Sequence, residues 1–187
     1  MMFSRAVYIV VLTFISLALN AQVEVGDTIS GFSLKEDNGK TWDLSKDFTA
    51  KYLIVYFYPA AMTGGCTTQA CSYRDVSDDL KKDSAQVVGI SGDAVKNLKI
   101  FKTAYDLNFP LLSDPEGKVA AMFGVPTGDG GSITRKIDGN EVELTRKVTA
   151  GRWTFVLDKD NIIIHKEMNV NPGEDSNNML HMIKQYH

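Results

Sequence analysis

Tyr52-Leu53-Ile54-Val55-Tyr56-Phe57-Tyr58 runs without a break into Pro59-Ala60-Ala61-Met62-Thr63-Gly64-Gly65-Cys66-Thr67-Thr68-Gln69-Ala70-Cys71-Ser72-Tyr73-Arg74-Asp75. The first part is aromatic and β-branched at nearly every position. Such a run fits a strand covered on both faces, as in a parallel or mixed sheet. The second part is a Gly-rich turn that opens a helical pattern, with Ala70, Tyr73, Val76 and Leu80 recurring on one side. Pro59 ends the strand and stiffens the turn, while Gly64 and Gly65 let the backbone come close to a small ligand. Both cysteines of the chain, Cys66 and Cys71, lie here.

The elements around this stretch repeat its logic. Gln86 to Ser91 reads as a second buried strand. Gly92-Asp93 offers an N-cap for an amphipathic helix marked by Leu98, Phe101 and Tyr105. Phe109 to Leu112 is a short extended piece. Ser113-Asp114-Pro115 starts a third, shorter helix that ends near Gly124. Trp153 to Asp158 and Ile162 to Lys166 are further strands, and Asp175 to Tyr186 closes the chain as a helix. Two hairpins flank this frame. One lies around Asp37-Asn38-Gly39, and the other spans about 132–148 around Asp138-Gly139-Asn140, after a polar Gly-rich loop at 127–131. The element order is that of a thioredoxin-like α/β fold: a central mixed sheet flanked by helices, with an N-terminal hairpin and an extra hairpin.

Residues 1–21 stand apart. A basic start at Met1 to Arg5, an uncharged apolar run from Ala6 to Leu19 and a small residue at Ala21 match the layout of a secretory signal peptide. The run is short for a membrane span, which needs about 20 apolar residues, so an uncleaved anchor is the alternative. This reading gives one domain at 22–187, exported, with a bacterial periplasm as the expected compartment and no stable membrane insertion once the leader is cleaved. The formal charge of −3 over 187 residues supplies no basic footprint for nucleic acid.

Cys66 falls where a helix should start, and unpaired backbone N–H groups and the helix dipole favour a thiolate there. Five residues of helix give a rise of about 7.5 Å and a turn of about 140°, so the two Cα atoms stand roughly 8 to 9 Å apart. A disulfide needs about 7 Å or less. Two cysteines sharing an intact helix at this spacing are unbonded, and bonding them unwinds the helix start. A structural disulfide stapling a loop is the alternative. A zinc site would need further ligands at other spacings.

These residues resemble a known family. Pro59, Thr63 and Cys66 match the peroxiredoxin pattern Pro-x-x-x-Thr/Ser-x-x-Cys, and the run to Cys71 is similar to the bacterioferritin-comigratory, or Q-type, subgroup of the alkyl hydroperoxide reductase/thiol-specific antioxidant superfamily. The similarity extends through Phe109 to Asp114, Phe123-Gly124-Val125 and Arg152 to Asp158. The resemblance implies reduction of hydrogen peroxide or organic hydroperoxides. Cys66 would be the peroxidatic cysteine and Cys71 its resolving partner within the same chain. Thr63 would hydrogen-bond thiolate and peroxide, and Arg152 would hold the thiolate and polarise the O–O bond. A thioredoxin-like dithiol would be the reductant, with no metal or organic cofactor, in a monomer or weak dimer. Gly64-Gly65 stands where Pro-Gly is usual, Ala60-Ala61-Met62 is less polar than usual, and Gln69 replaces a common Glu, which would leave Arg152 without a carboxylate partner. The competing function is an exported thioredoxin-fold thiol-disulfide oxidoreductase, which would favour a shorter gap between cysteines.

Other candidates have plainer readings. His165 is a strand residue at a sheet margin, and His181 and His187 sit in the solvated tail. Gly128 to Gly131 lacks the Lys-Ser/Thr of a phosphate loop. Arg74 either neighbours the site or pairs with Asp78 one turn on. Trp153 points away from Arg152 and packs.

Overall fold

A computed structural model describes residues 22–137 and 139–186. The elements run β1 (Ser33–Glu36), β2 (Thr41–Asp43), α1 (Leu44–Asp47), β3 (Tyr52–Phe57), α2 (Gly64–Asp75), α3 (Ser77–Lys82), β4 (Ala85–Ser91), α4 (Val95–Ala104) and β5 (Leu111–Ser113). They continue with α5 (Lys118–Met122), β6 (Thr127–Ile137), β7 (Asn140–Ala150), β8 (Trp153–Asp158), β9 (Ile163–Glu167) and α6 (Asp175–Gln185). Seven strands form one mixed sheet in the order β2-β1-β5-β4-β3-β8-β9, and β6 pairs with β7 as a separate hairpin. The expected thioredoxin-like α/β architecture with two hairpins is present. The leader read at 1–21, Asp138 of the second hairpin turn and His187 lie outside the described residues.

β3 is the axis of the sheet. It pairs in parallel with β4 and antiparallel with β8, and it is buried along its whole length. Its alternation divides the core. Ile54, Tyr56 and Tyr58 face a layer built from α2, α4 and α6, with Tyr73, Phe101 and Ile183. Leu53, Val55 and Phe57 face the other layer, with Val119 of α5 and Phe123 just after it. Each face therefore excludes water from a continuous apolar surface, the dominant favourable contribution to folding. Tyr56 stacks on Tyr73 with ring centroids 4.9 Å apart, which fixes α2 against the sheet.

Four local expectations are corrected. The helix expected through Leu80 is two helices, because Val76 takes φ −98° and ψ 6° between α2 and α3. Pro115 precedes α5 rather than opening it. Gly117 turns left-handed at φ 65°, and Asp114 accepts from the N–H groups of Lys118 and Ala120 at 2.9 and 2.8 Å. Ala94, not Asp93, is the N-cap residue of α4. The Gly-rich stretch at 127–131 is the first part of β6. Gly130 is needed there, since a Cβ would lie 2.2 Å from the Arg146 carbonyl oxygen.

Candidate active site

β3 stops at Phe57, and the chain turns through Pro59 to Thr63 before α2 begins. Thr63 is the N-cap residue, which makes Cys66 the third residue of the helix. The first-turn amides have no helical acceptors, so the Cys66 sulfur lies by a concentration of positive dipole. Cys66 is 1 % exposed and Cys71 is partly exposed further along the same unbroken helix; both are free thiols.

Sheet register brings the arginine in. Phe57 pairs with Trp153, so Arg152, just before β8, comes opposite the end of β3. Its Nη2 donates to Cys66 Sγ at 3.3 Å and its Nη1 to Gln69 Oε1 at 2.5 Å. Gly65 lies beside it, where a Cβ would stand at an ordinary contact distance of 3.4 Å from Arg152 Nη2. The partner Arg152 takes on α2 beside Cys66 is thus a neutral amide. Trp153 turns to the other side of the strand and packs by Phe155, with Lys166 over its ring.

Thr63 differs from expectation. Its hydroxyl donates to the Ala60 carbonyl at 2.8 Å, not to Cys66. It thereby helps to hold the turn, which has two further ties. Buried Asp93 accepts from the Ala61 N–H at 2.8 Å and from the Ser91 hydroxyl at 3.0 Å. Arg135 of β6 donates to the Met62 carbonyl at 2.8 Å, and Met62 has φ 63°. A left-handed methionine is unfavourable on its own, and such positions persist only where their surroundings hold them.

A second group was missed entirely. Asp175, the first residue of α6, is 2 % exposed. Its Oδ2 accepts from Gln69 Nε2 at 2.7 Å, from the Tyr73 hydroxyl at 2.7 Å and from the Thr154 hydroxyl at 2.9 Å. Burial pushes the Asp175 carboxyl up from its ordinary range, and these three hydrogen bonds oppose that shift. Burial, with further contributions from the Cys66 and Asp175 charges, raises the Tyr56 hydroxyl well above its usual range, so it stays protonated.

The remaining candidates are placed without chemistry. Arg74 pairs with Asp75 at 2.8 Å and donates to the Tyr105 carbonyl, rather than to Asp78 or the site. His165 lies opposite Val156 on β9, at the sheet margin, and exposed His181 bonds Gln185 on α6. No group of three or more His, Cys, Asp or Glu side chains that could hold a metal ion occurs among the described residues.

The chain and its fold match known proteins. The AhpC/TSA family profile matches residues 25–166. A chloroplastic peroxiredoxin Q of Sedum lineare is 42 % identical over 143 residues, which cover 76 % of this chain and 68 % of that protein. The chain belongs to the AhpC/TSA family, as a Q-type peroxiredoxin. A second chloroplastic peroxiredoxin Q, from Populus jackii, has the same 42 % identity, and the match spans only 59 % of its length. The solved structure of peroxidoxin BcpB from Mycobacterium tuberculosis superposes with a TM-score of 0.74 at 31 % identity, covering 89 % of this peroxiredoxin and 99 % of that chain.

One expectation is overturned by these relatives. Bacterial periplasmic export was inferred from residues 1–21 alone. The two plant relatives are named as chloroplastic proteins, and residues 1–21 lie outside the described residues, so periplasmic export has no support. Among the described residues, no helix is long and apolar enough to cross a membrane.

Proposed function

We propose that this peroxiredoxin is a thiol-dependent peroxidase, with residues 22–187 as one catalytic domain, Cys66 as the peroxidatic cysteine and Cys71 as its resolving partner. The observation that carries the reading is the 3.3 Å contact from Arg152 to a buried Cys66 in the first turn of α2. A fixed cation and helix-end amides lie beside the sulfur, where negative charge sits in the attack, and arginine cannot lose its charge. The Cys66 thiolate attacks one peroxide oxygen. An S–O bond forms, the O–O bond breaks, and the departing oxygen takes a proton to leave as water or an alcohol. Arg152 offsets the charge developing on the oxygens. The Thr63 hydroxyl, already donating to Ala60, has lone pairs left to accept from the peroxide O–H. Pro59 keeps the turn stiff.

The Cys66 sulfenic acid then meets Cys71. Attack by the Cys71 thiolate forms the S–S bond and expels the sulfenic oxygen as water after protonation. Helix geometry keeps these residues beyond disulfide reach while α2 is intact, so this step requires unwinding between them. A thioredoxin-like dithiol supplies the two electrons that reopen the disulfide by exchange. A resolving cysteine in the same chain needs no second subunit, which suits a monomer or weak dimer. Purified protein should consume hydrogen peroxide with a thioredoxin system. Cys66→Ser should abolish consumption, and Cys71→Ser should give a single turnover ending in sulfenic acid. Full activity of Cys66→Ser would sink the reading. A thioredoxin-type thiol-disulfide oxidoreductase has no observation that favours it over the peroxidase.

A further inference from the structure

Gln69 stands between Arg152 and Asp175, and its two ends are chemically distinct. The guanidinium has only donors, so it requires the carboxamide oxygen; a carboxylate has only acceptors, so it requires the carboxamide nitrogen. The observed bonds obey both demands, with Oε1 toward Arg152 and Nε2 toward Asp175. A reversed carboxamide would set two donors against each other at Arg152. Gln69, Tyr73, Thr154 and Asp175 are all buried, so water does not substitute cheaply for a lost partner. The same carboxylate oxygen is pinned from α2 by Tyr73 and from β8 by Thr154, the second residue after Arg152.

We propose that Asp175 is a positioning residue for peroxide reduction: its carboxylate orients the Gln69 carboxamide, which in turn holds the Arg152 guanidinium on the Cys66 sulfur. Asp175 touches neither the sulfur nor the substrate. It supplies the acceptor that decides which way a neutral amide points, in a chain where the arginine has an amide where a Glu is common. This rests on the role given above to Arg152. A residue that acts through another loses its effect once the intermediary is removed, whereas a residue needed only for folding does not.

The test uses the full chain in a Cys71→Ser background, with two readouts: the rate of Cys66 oxidation by hydrogen peroxide and the rate of Cys66 alkylation by iodoacetamide at pH 6. Asp175→Leu and Gln69→Leu should each slow both reactions by about tenfold, the scale of a displaced catalytic group. Asp175→Asn, which keeps an oxygen acceptor for the Gln69 amide, should be slowed less. The double Leu variant should be no slower than the worse single variant. Wild-type rates in Asp175→Leu, or losses that multiply in the double variant, would overturn the relay. If Asp175→Leu does not fold, Asp175→Ala carries the same readout, and wild-type rates there also overturn it. Arg152→Met separates the two layers. If it leaves both rates unchanged, the role of Arg152 fails and the relay with it; if it slows them while Asp175→Leu does not, only the relay fails.

Discussion

At the scale of residues, the site is set by which polar atoms find partners. Asp175 is the case with a pH signature. Its carboxyl is raised by burial, against hydrogen bonds from Tyr73, Gln69 and Thr154, with Glu167 adding to the rise. A raised carboxyl binds its proton more tightly folded than unfolded. Its stabilising contribution is therefore fully present below the ordinary carboxylate range and is lost as pH climbs through the raised value. The urea midpoint of wild type minus that of Asp175→Asn should accordingly fall as pH rises through and above the ordinary carboxylate range; a difference that grows with pH would contradict the assignment. Cys66, Cys71 and Arg152 were legible because a thiol pair at a strand-to-helix turn has few other readings and the arginine lies in a matching segment. Asp175 was not, because it lies 106 residues from Gln69 and opens an ordinary polar helix start. Nothing local marks such a carboxylate as buried. Asp93 was misread because a helix cap and a loop tie use the same side-chain oxygens.

At the scale of elements, the β6–β7 hairpin is a brace on the active-site turn. Arg135 holds the Met62 carbonyl, and on the far strand the Thr145 carbonyl accepts from Asn97 of α4 at 2.8 Å. Met62 keeps its left-handed conformation between Arg135 on one side and Asp93 on Ala61 on the other. Arg135→Ala should therefore loosen the turn by about 1 kcal/mol, the net value of one hydrogen bond. Amide exchange at Met62 to Cys66 should speed up several-fold, while exchange in β3 and β4 stays as in wild type. Equal acceleration across the sheet would mean that the hairpin supports the whole fold instead. Gly130→Ala offers a second check. Its Cβ would strike the backbone of Arg146 and Lys147, so a loss of about 1–3 kcal/mol in urea unfolding is expected. The hairpin itself was visible from its turn residues, but its first half was not. A Gly-rich polar run carries no strand propensity, and here close approach of the partner strand, not propensity, makes it a strand.

At the scale of the whole molecule, chemistry and folding meet in α2. The sheet and its two cores were readable because alternation along β3 and helical spacing along α2, α4 and α6 agree with one another. Less readable was how firmly α2 is tied down. Within it, Cys66 is hydrogen-bonded to Arg152, Gln69 to both Arg152 and Asp175, and Tyr73 to Asp175, so three residues of the helix are fastened to the residue before β8 and to the start of α6. Gln69 lies inside the segment that must unwind for Cys66 to reach Cys71. A Cys66–Cys71 disulfide would form at the expense of these ties, and oxidation should then lower global stability while leaving the sheet intact. The direct measurement is amide hydrogen exchange on reduced and peroxide-treated protein, read residue by residue along α2, with Cys71→Ser as the control that forms sulfenic acid without a disulfide. The account predicts that amides from Thr67 to Tyr73 lose protection in oxidised wild type alone. A Cys66–Cys71 disulfide formed with that protection unchanged would contradict it.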